Sequence, residues 1–262
     1  MASAASTLAS AGHGNERFNA EAAAWDKNPM VHEASREACT ALLQRFSKLE
    51  IQAPGQGLDV LEIGCGTGLL SFNMAPFVRQ IVAVDAAEGM IDVLKAKLQS
   101  PSPETPKNIV PLALLLEDPE DPHLPPATAG DASGPRLKYD LILSHLVLHH
   151  IPDLQGVLAT MLGCLKPGGS VALTDFEDFG PEARRFHPKA KMAGVERHGI
   201  HPEEMTRLLA EVGFRNARVE RAWAMQKQVE TIEGEFGDKG KPEAGQGEVM
   251  NFPFVVCMGE KA

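Results

Sequence analysis

The stretch Leu58–Phe72, LDVLEIGCGTGLLSF, decides how the rest of the chain is read. An apolar run of strand character enters Gly64-Cys65-Gly66-Thr67-Gly68, and an apolar helical pattern follows from Leu69. Glycine permits positive φ and leaves room for a ligand against the backbone. The first N–H groups of a helix can donate hydrogen bonds to polar or anionic groups. In an open parallel sheet, ligands bind beyond the carboxyl ends of the strands, where the strand order reverses. The turn is therefore a candidate ligand cradle. Its spacing is G-x-G-x-G, and Leu69 stands where the dinucleotide fingerprint G-x-G-x-x-G carries its third glycine. That departure argues against a nicotinamide oxidoreductase.

Strands and helices alternate on both sides of the turn. A helical pattern covers Asn19 to Phe46, interrupted at Asn28-Pro29. Pro54-Gly55-Gln56-Gly57 reads as a turn. Strands are predicted at Asp59–Cys65, Gln80–Asp85, within Asn108–Asp118, at Tyr139–His145 and at Ser170–Phe176. Helices are predicted at Leu69–Met74, Gly89–Leu98, Leu154–Leu165 and Pro202–Val212, with a turn at Lys166–Gly169. Two late strand-like runs, Asn216–Met225 and Phe252–Gly259, suggest an antiparallel addition at the sheet edge. The expected fold is α/β, a doubly wound and mostly parallel sheet covered on both faces.

Residues 1–17 are small and polar and are expected to form a flexible tail; residues 18–262 are read as one domain. Asp118–Arg136 is rich in Pro, Gly and Ala, and Glu233–Glu248 is charged and glycine-rich. Both are read as loop insertions, because neither could bury a core of its own. The chain has 262 residues, 44% of them apolar, and a formal net charge of −10. An acidic chain without a basic stripe is a poor partner for nucleic acid or an anionic membrane surface. No apolar run approaches the roughly 18 residues of a membrane span. The four cysteines form no CxxC pair, so reduced thiols in the cytoplasm, or alternatively the nucleus, are expected.

Asp85, 21 residues after Gly64, ends the second strand, where a carboxylate can accept hydrogen bonds from both ribose hydroxyls. Glu62 lies inside the first strand, and a carboxyl there needs a cationic or donor partner. Histidines follow the fourth strand (His145, His149, His150) and the fifth (His187, His198, His201). His145 and His149 could share a helix face, but no third ligand stands at a suitable spacing, so no metal site is expected. His149 and His150 are adjacent and should point apart, leaving at least one structural. His201 precedes Pro202-Glu203-Glu204 and reads as a helix cap. His187 and His198 are candidate substrate-side groups and Asp175 a third; each could equally be structural.

VLEIGCGTG followed by VAVDAAEGM resembles the class I S-adenosylmethionine-dependent methyltransferases. YDLILSHLVLHHI and LKPGGSVALTDF are similar to that family's fourth strand with its loop and its turn into strand five. FNAEAAAWDKNP resembles the N-terminal helix that closes over the cofactor in the ubiquinone-biosynthesis-like branch, which places Trp25 at the cofactor. The resemblance also extends to small bacterial methyltransferases, through the Phe186-His187 and Arg197–Ile200 segments. It implies a Rossmann-like, seven-stranded sheet with an N-terminal helical cap. By resemblance, Gly64, Cys65, Gly66, Thr67 and Gly68 line the methionine part of the cofactor, and Asp85 holds the ribose. Ala86 and Met90 flank the adenine, with Leu116 and Glu117 at its edge. Ser144 and His145 sit beside the methionine amino group and the transferring methyl. Glu62 belongs to the same motif.

The implied function is transfer of a methyl group from S-adenosyl-L-methionine to an O, N or S atom of a small molecule, giving S-adenosyl-L-homocysteine. His145, His187 and His198 are the candidate catalytic residues. A protein-methylating enzyme and a weakly catalytic subunit of a regulatory complex are the alternatives. In the last case the two insertions would be docking loops for a partner protein.

Overall fold

The computed structural model describes residues 4–49 and 56–262, with side chains from residue 15. Pro54 and Gly55 of the expected turn lie outside them. Seven strands form one sheet in the order β3-β2-β1-β4-β5-β7-β6. β1 (Asp59–Ile63), β2 (Gln80–Asp85), β3 (Ile109–Ala113), β4 (Tyr139–His145) and β5 (Leu165–Phe176) run parallel. β7 (Glu248–Glu260) pairs antiparallel with both β5 and β6 (Arg215–Val229). The antiparallel strand thus lies one place in from the edge, and β6 closes the sheet. The strand order reverses between β1 and β4, and the glycine turn leaves β1 at that point.

The described residues form six α-helices: α1 (Ala4–Trp25), which packs on α4, α2 (Pro29–Arg45), α3 (Leu69–Met74), α4 (Glu88–Leu98), α5 (Leu154–Cys164) and α6 (Pro202–Val212). Strand residues alternate between two buried faces, as period-two geometry requires. Val60, Ile81, Ala83, Leu141 and Leu143 join Leu42 of α2, Leu70 and Met74 of α3 and Leu94 of α4. Leu61, Ile63, Val82, Val84 and Ile142 join Leu158 and Met161 of α5 and Leu209 of α6. Truncating a fully buried leucine such as Leu94 to alanine should cost about 2–5 kcal/mol.

Helix starts follow local chemistry. Asn28 Oδ1 accepts from the Met30 N–H at 3.1 Å, with Pro29 at the first helical position of α2. Asp153 Oδ1 accepts from the Gly156 N–H at 2.9 Å and caps α5. His201 occupies the N-cap position of α6 as expected, but its ring makes no capping hydrogen bond.

Several boundaries differ from the sequence reading. β1 ends at Ile63 and not at Cys65, because the chain turns at Gly64, with φ 73°. α1 begins at Ala4, so residues 4–17 carry helical backbone where a tail is expected; alanine is the strongest helix former and is frequent there. Residues 1–3 lie outside the described residues. β5 begins at Leu165 and absorbs the expected turn at Lys166–Gly169. The register shifts there, and the Gly168 N–H and Gly169 C=O find their partners on Lys261. β6 and β7 extend beyond the apolar runs because their outer arms pair residue by residue, from Gln226 with Asn251 to Val229 with Glu248.

Neither insertion carries a core of its own, yet both are anchored. The Arg136 guanidinium donates to the carbonyls of Leu124, Ala132 and Gly134, and Glu120 Oε2 accepts from the Arg136 N–H at 2.8 Å. Phe236 is buried, and Glu235 Oε1 accepts from the Gly247 N–H at 3.0 Å. No helix among the described residues is long and apolar enough to cross a membrane.

Candidate active site

All three turn glycines adopt positive φ, at 73° for Gly64, 54° for Gly66 and 81° for Gly68. Their surroundings differ. A Cβ on Gly64 would meet Val147 at 2.4 Å, and one on Gly68 would meet Leu94 at 2.5 Å. A Cβ on Gly66 would meet nothing within 4 Å. Gly64 and Gly68 are thus required by the protein's own packing, whereas Gly66 offers an open face of backbone. Cys65 is buried in the core beside it, and burial pushes its thiol pKa up, so it fills space and does not act as a nucleophile.

Asp85 ties the turn to β2. Its Oδ2 accepts from the Gly66 N–H and its Oδ1 from the Ala87 N–H, both at 2.8 Å. Burial raises the Asp85 pKa, and these two donors act against that shift. A carboxylate has about four acceptor positions, so lone pairs remain for a ligand's hydroxyls. Glu62 does not face the crevice. It is 1% exposed beneath the turn, where Ser71 Oγ of α3 donates to its Oε2. Burial pushes its pKa up to about 8. The donor partner expected from sequence is this serine, and Glu62 supports the turn from below.

The cap is bonded to the turn through a residue the sequence reading passed over. Asp26, next to Trp25, accepts from Thr67 Oγ1 at 2.5 Å and from Lys97 Nζ at 2.8 Å. Lys97 Nζ also donates to the Thr67 carbonyl at 2.8 Å. Phe18, Ala22 and Trp25 form one apolar patch with Ala87 and Met90, and Asn19 Oδ1 accepts from the Gly89 N–H at 2.8 Å. Trp25 and Met90 therefore share one patch between α1 and α4, and Ala86 is half-buried. Leu116 and Glu117 do not meet their expectation. Leu116 turns into the core on the α5 face, and Glu117 is exposed, its carbonyl accepting from Thr160 Oγ1 at 2.9 Å. β3 ends at Ala113, and Leu114 bonds back to the Asp85 carbonyl, so the residues nearest the strand end precede Leu116.

At the ends of β4 and β5, Ser144 is fully buried and donates to the Ile63 carbonyl at 2.8 Å. It joins β4 to β1 and has no free hydroxyl proton for a ligand. His145 Nδ1 lies 2.8 Å from Thr174 Oγ1, which in turn donates to the Ser144 carbonyl; Nε2 is buried without a partner. Burial lowers the His145 pKa to about 4.

His149 and His150 do not point apart. They lie in a 3-10 turn (Leu148–His150) and pack ring against ring, with centroids 4.0 Å apart. The tight turn, with Leu146 at φ 57° before it, lets both rings fold to one side. His187 joins them, 5.0 Å from the His149 ring and 5.8 Å from that of His150. Asp175 holds His149, its two oxygens 2.9 and 3.0 Å from Nδ1. His198 does not enter this ring group, although its Nδ1 is also buried without a partner. Its segment has a structural role. A Cβ on Gly199 (φ 101°) would meet the Glu177 backbone at 2.7 Å, and the Ile200 N–H donates to the Phe176 carbonyl at 2.9 Å. Arg197 was not singled out from sequence. Its guanidinium donates to the carbonyls of Leu148 and Ile151 and holds the histidine turn in place.

Comparison with known proteins agrees with this architecture. A family model described as a methyltransferase domain matches residues 30–219. An uncharacterized methyltransferase of Schizosaccharomyces pombe is 29% identical over 62% of this chain and 55% of its own length. A ubiquinone biosynthesis O-methyltransferase of Coxiella burnetii is 27% identical over 48% of this chain and 47% of its own. The chain thus spans about half the length of these curated relatives. Among solved structures, the N-methyltransferase NodS of Bradyrhizobium japonicum, in complex with S-adenosyl-L-homocysteine, superposes with a TM-score of 0.52 at 18% identity. That match covers 95% of this chain and 96% of NodS. With the glycine turn, the strand order and a family match over most of its length, the chain belongs to the methyltransferase-domain family, a family of S-adenosylmethionine-dependent enzymes.

Proposed function

We propose that this chain transfers a methyl group from S-adenosylmethionine to an O, N or S atom of a small-molecule acceptor. The observation that carries the reading is the open backbone face of Gly66, with the Asp85 carboxylate bonded beside it at the strand-order reversal. When bound, the cofactor supplies a methyl carbon already activated by its sulfonium. The protein's part is to bind, align and exclude water. Gly66 admits the cofactor against the backbone, and Asp85 offers its free lone pairs to the ribose. The α1 patch of Phe18, Ala22 and Trp25 closes over Ala87 and Met90 and keeps water from the adenine side.

His145 Nε2 carries a buried, unpartnered lone pair at the end of β4, beside the proposed acceptor region. A pKa of about 4 makes it a weak base and keeps the ring neutral, so its lone pair is free to accept a hydrogen bond and orient an acceptor group. His187 and His198 line the segment after β5, where the acceptor enters. Incubation with methyl-labelled S-adenosylmethionine and a panel of thiol, phenol, amine and protein acceptors tests the reading. Label transferred to one small-molecule class, lost in Asp85→Ala, is the expected result. Label transferred only to protein, or to nothing while S-adenosylhomocysteine binds, would replace it with one of the alternatives.

A further inference from the structure

We propose that His149, His150 and His187 bind a divalent metal ion of the class that prefers imidazole nitrogen, zinc foremost. The three residues come from two segments, and each puts one ring nitrogen within 4.8 Å of the other two. The hydrogen bonds already settle which nitrogens are free. Asp175 takes the Nδ1–H of His149, leaving Nε2, which is buried without a partner. The Gly194 carbonyl takes the Nδ1–H of His150 at 2.7 Å, leaving its Nε2. His187 Nδ1 is also buried without a partner. An unsatisfied buried polar atom is costly, and two of them, on His149 and His187, belong to this one ring cluster, whereas those on His145 and His198 lie outside it.

The outer bonds have the form that metal-binding histidines take. A carboxylate on one ring and a backbone carbonyl on another fix orientation and tautomer and raise the basicity of the free nitrogen. His149 is 2% exposed, whereas His150 and His187 are half-buried. The surrounding charges are mixed: Asp175 is the anion, and Arg17 and Lys227 are cations whose fields reach His187. A tetrahedral ion with bonds of about 2.0–2.1 Å wants its nitrogens closer than 4.8 Å, so binding would draw His187 toward the His149–His150 pair. Three histidines leave one coordination position open, the arrangement of catalytic rather than structural zinc sites. The site stands at the ends of β4 and β5, where the acceptor is expected, and Phe18 of the cap packs edge-on against His150 at 5.2 Å.

The test is metal titration of the full chain after removal of metal with a chelator. One equivalent of Co²⁺ should bind and give the visible absorption of a tetrahedral nitrogen site, and one equivalent of Zn²⁺ should displace it. His150→Ala and His187→Ala should each weaken binding at least 100-fold, and Asp175→Asn by 10–100-fold. Should either alanine variant fail to fold, carbethoxylation of the unmodified chain gives the same answer. Zn²⁺ should then protect half-buried His150 and His187 and leave exposed His123 reactive. Absence of stoichiometric binding, binding unchanged in both alanine variants, or equal carbethoxylation with and without Zn²⁺ would each overturn the proposal. The titration uses neither cofactor nor acceptor, so its outcome is independent of the proposed methyl transfer.

Discussion

Glu62 is a carboxyl group almost without water, and its one strong donor is a serine. Its pKa of about 8 makes the neutral form the native one at neutral pH. A carboxyl whose folded pKa is raised contributes stability that is complete below its unfolded value, about 4.5, and is lost as pH rises through 8. Glu62→Gln keeps an acceptor for Ser71 and removes the titration. The variant's melting temperature should therefore gain on that of the unmodified chain between pH 5 and pH 9. Parallel profiles would contradict the assignment. His145 and His150 titrate with the opposite sign. They are held neutral, with pKa values of about 4 and 3, so their contribution is lost as pH falls below 6.5. That acid limb should be common to both proteins, which isolates Glu62. The need for a partner at Glu62 was legible from sequence, because a carboxyl in a buried strand is costly alone. The partner's identity was not, since only the folded turn brings α3 back over β1.

The glycine turn shows what an element's sequence reveals and what it hides. Three glycines announce a tight strand-to-helix turn, but spacing alone does not say which of them faces a ligand. The structure separates them, and variants can check the separation. Gly66→Ala should cost only about 1 kcal/mol in urea unfolding, the penalty for positive φ, and should weaken S-adenosylhomocysteine binding at least tenfold. Gly64→Ala carries the same φ penalty plus a clash with Val147 at 2.4 Å, and should cost about 2–4 kcal/mol. Equal losses of stability would remove the distinction. The strands β2 and β4 and the helix α6 were legible to the residue, from their apolar runs and, for α6, a proline at its start and a glycine after its end; β1 was read two residues too long, into the turn. The start of β5 was not, since its Pro-Gly-Gly signals a turn until Lys261 supplies partners. Arg197–Ile200 was weighed as a substrate segment. Gly199 instead answers to a backbone contact, and Arg197 to three carbonyls, those of Leu148, Ile151 and Pro152.

Across the domain, alternation of strands and helices was enough to give a doubly wound sheet, and the resemblance supplied its seven strands and its cap. The histidine group was not legible. Its members come from the segments after β4 and β5, and chain adjacency suggested that His149 and His150 diverge. Asp26 was missed for a related reason, as its partners Thr67 and Lys97 are distant in sequence and meet it only once the cap is docked. This carboxylate joins the α1–α2 junction to both the turn and α4. Asp26→Ala should lower stability by about 1–2 kcal/mol, given partial exposure of the ion pair, and should weaken S-adenosylhomocysteine binding by loosening the cap. Unchanged affinity would mean that the cap and the turn act independently. The most direct measurement is calorimetric titration of the purified chain and of Asp85→Ala with S-adenosylhomocysteine, with NADH as control. The structure predicts one site of micromolar affinity, a loss of at least tenfold in Asp85→Ala, and no response to NADH. Affinity unchanged in the variant, or binding of NADH in place of S-adenosylhomocysteine, would contradict the placement of the cofactor on this turn.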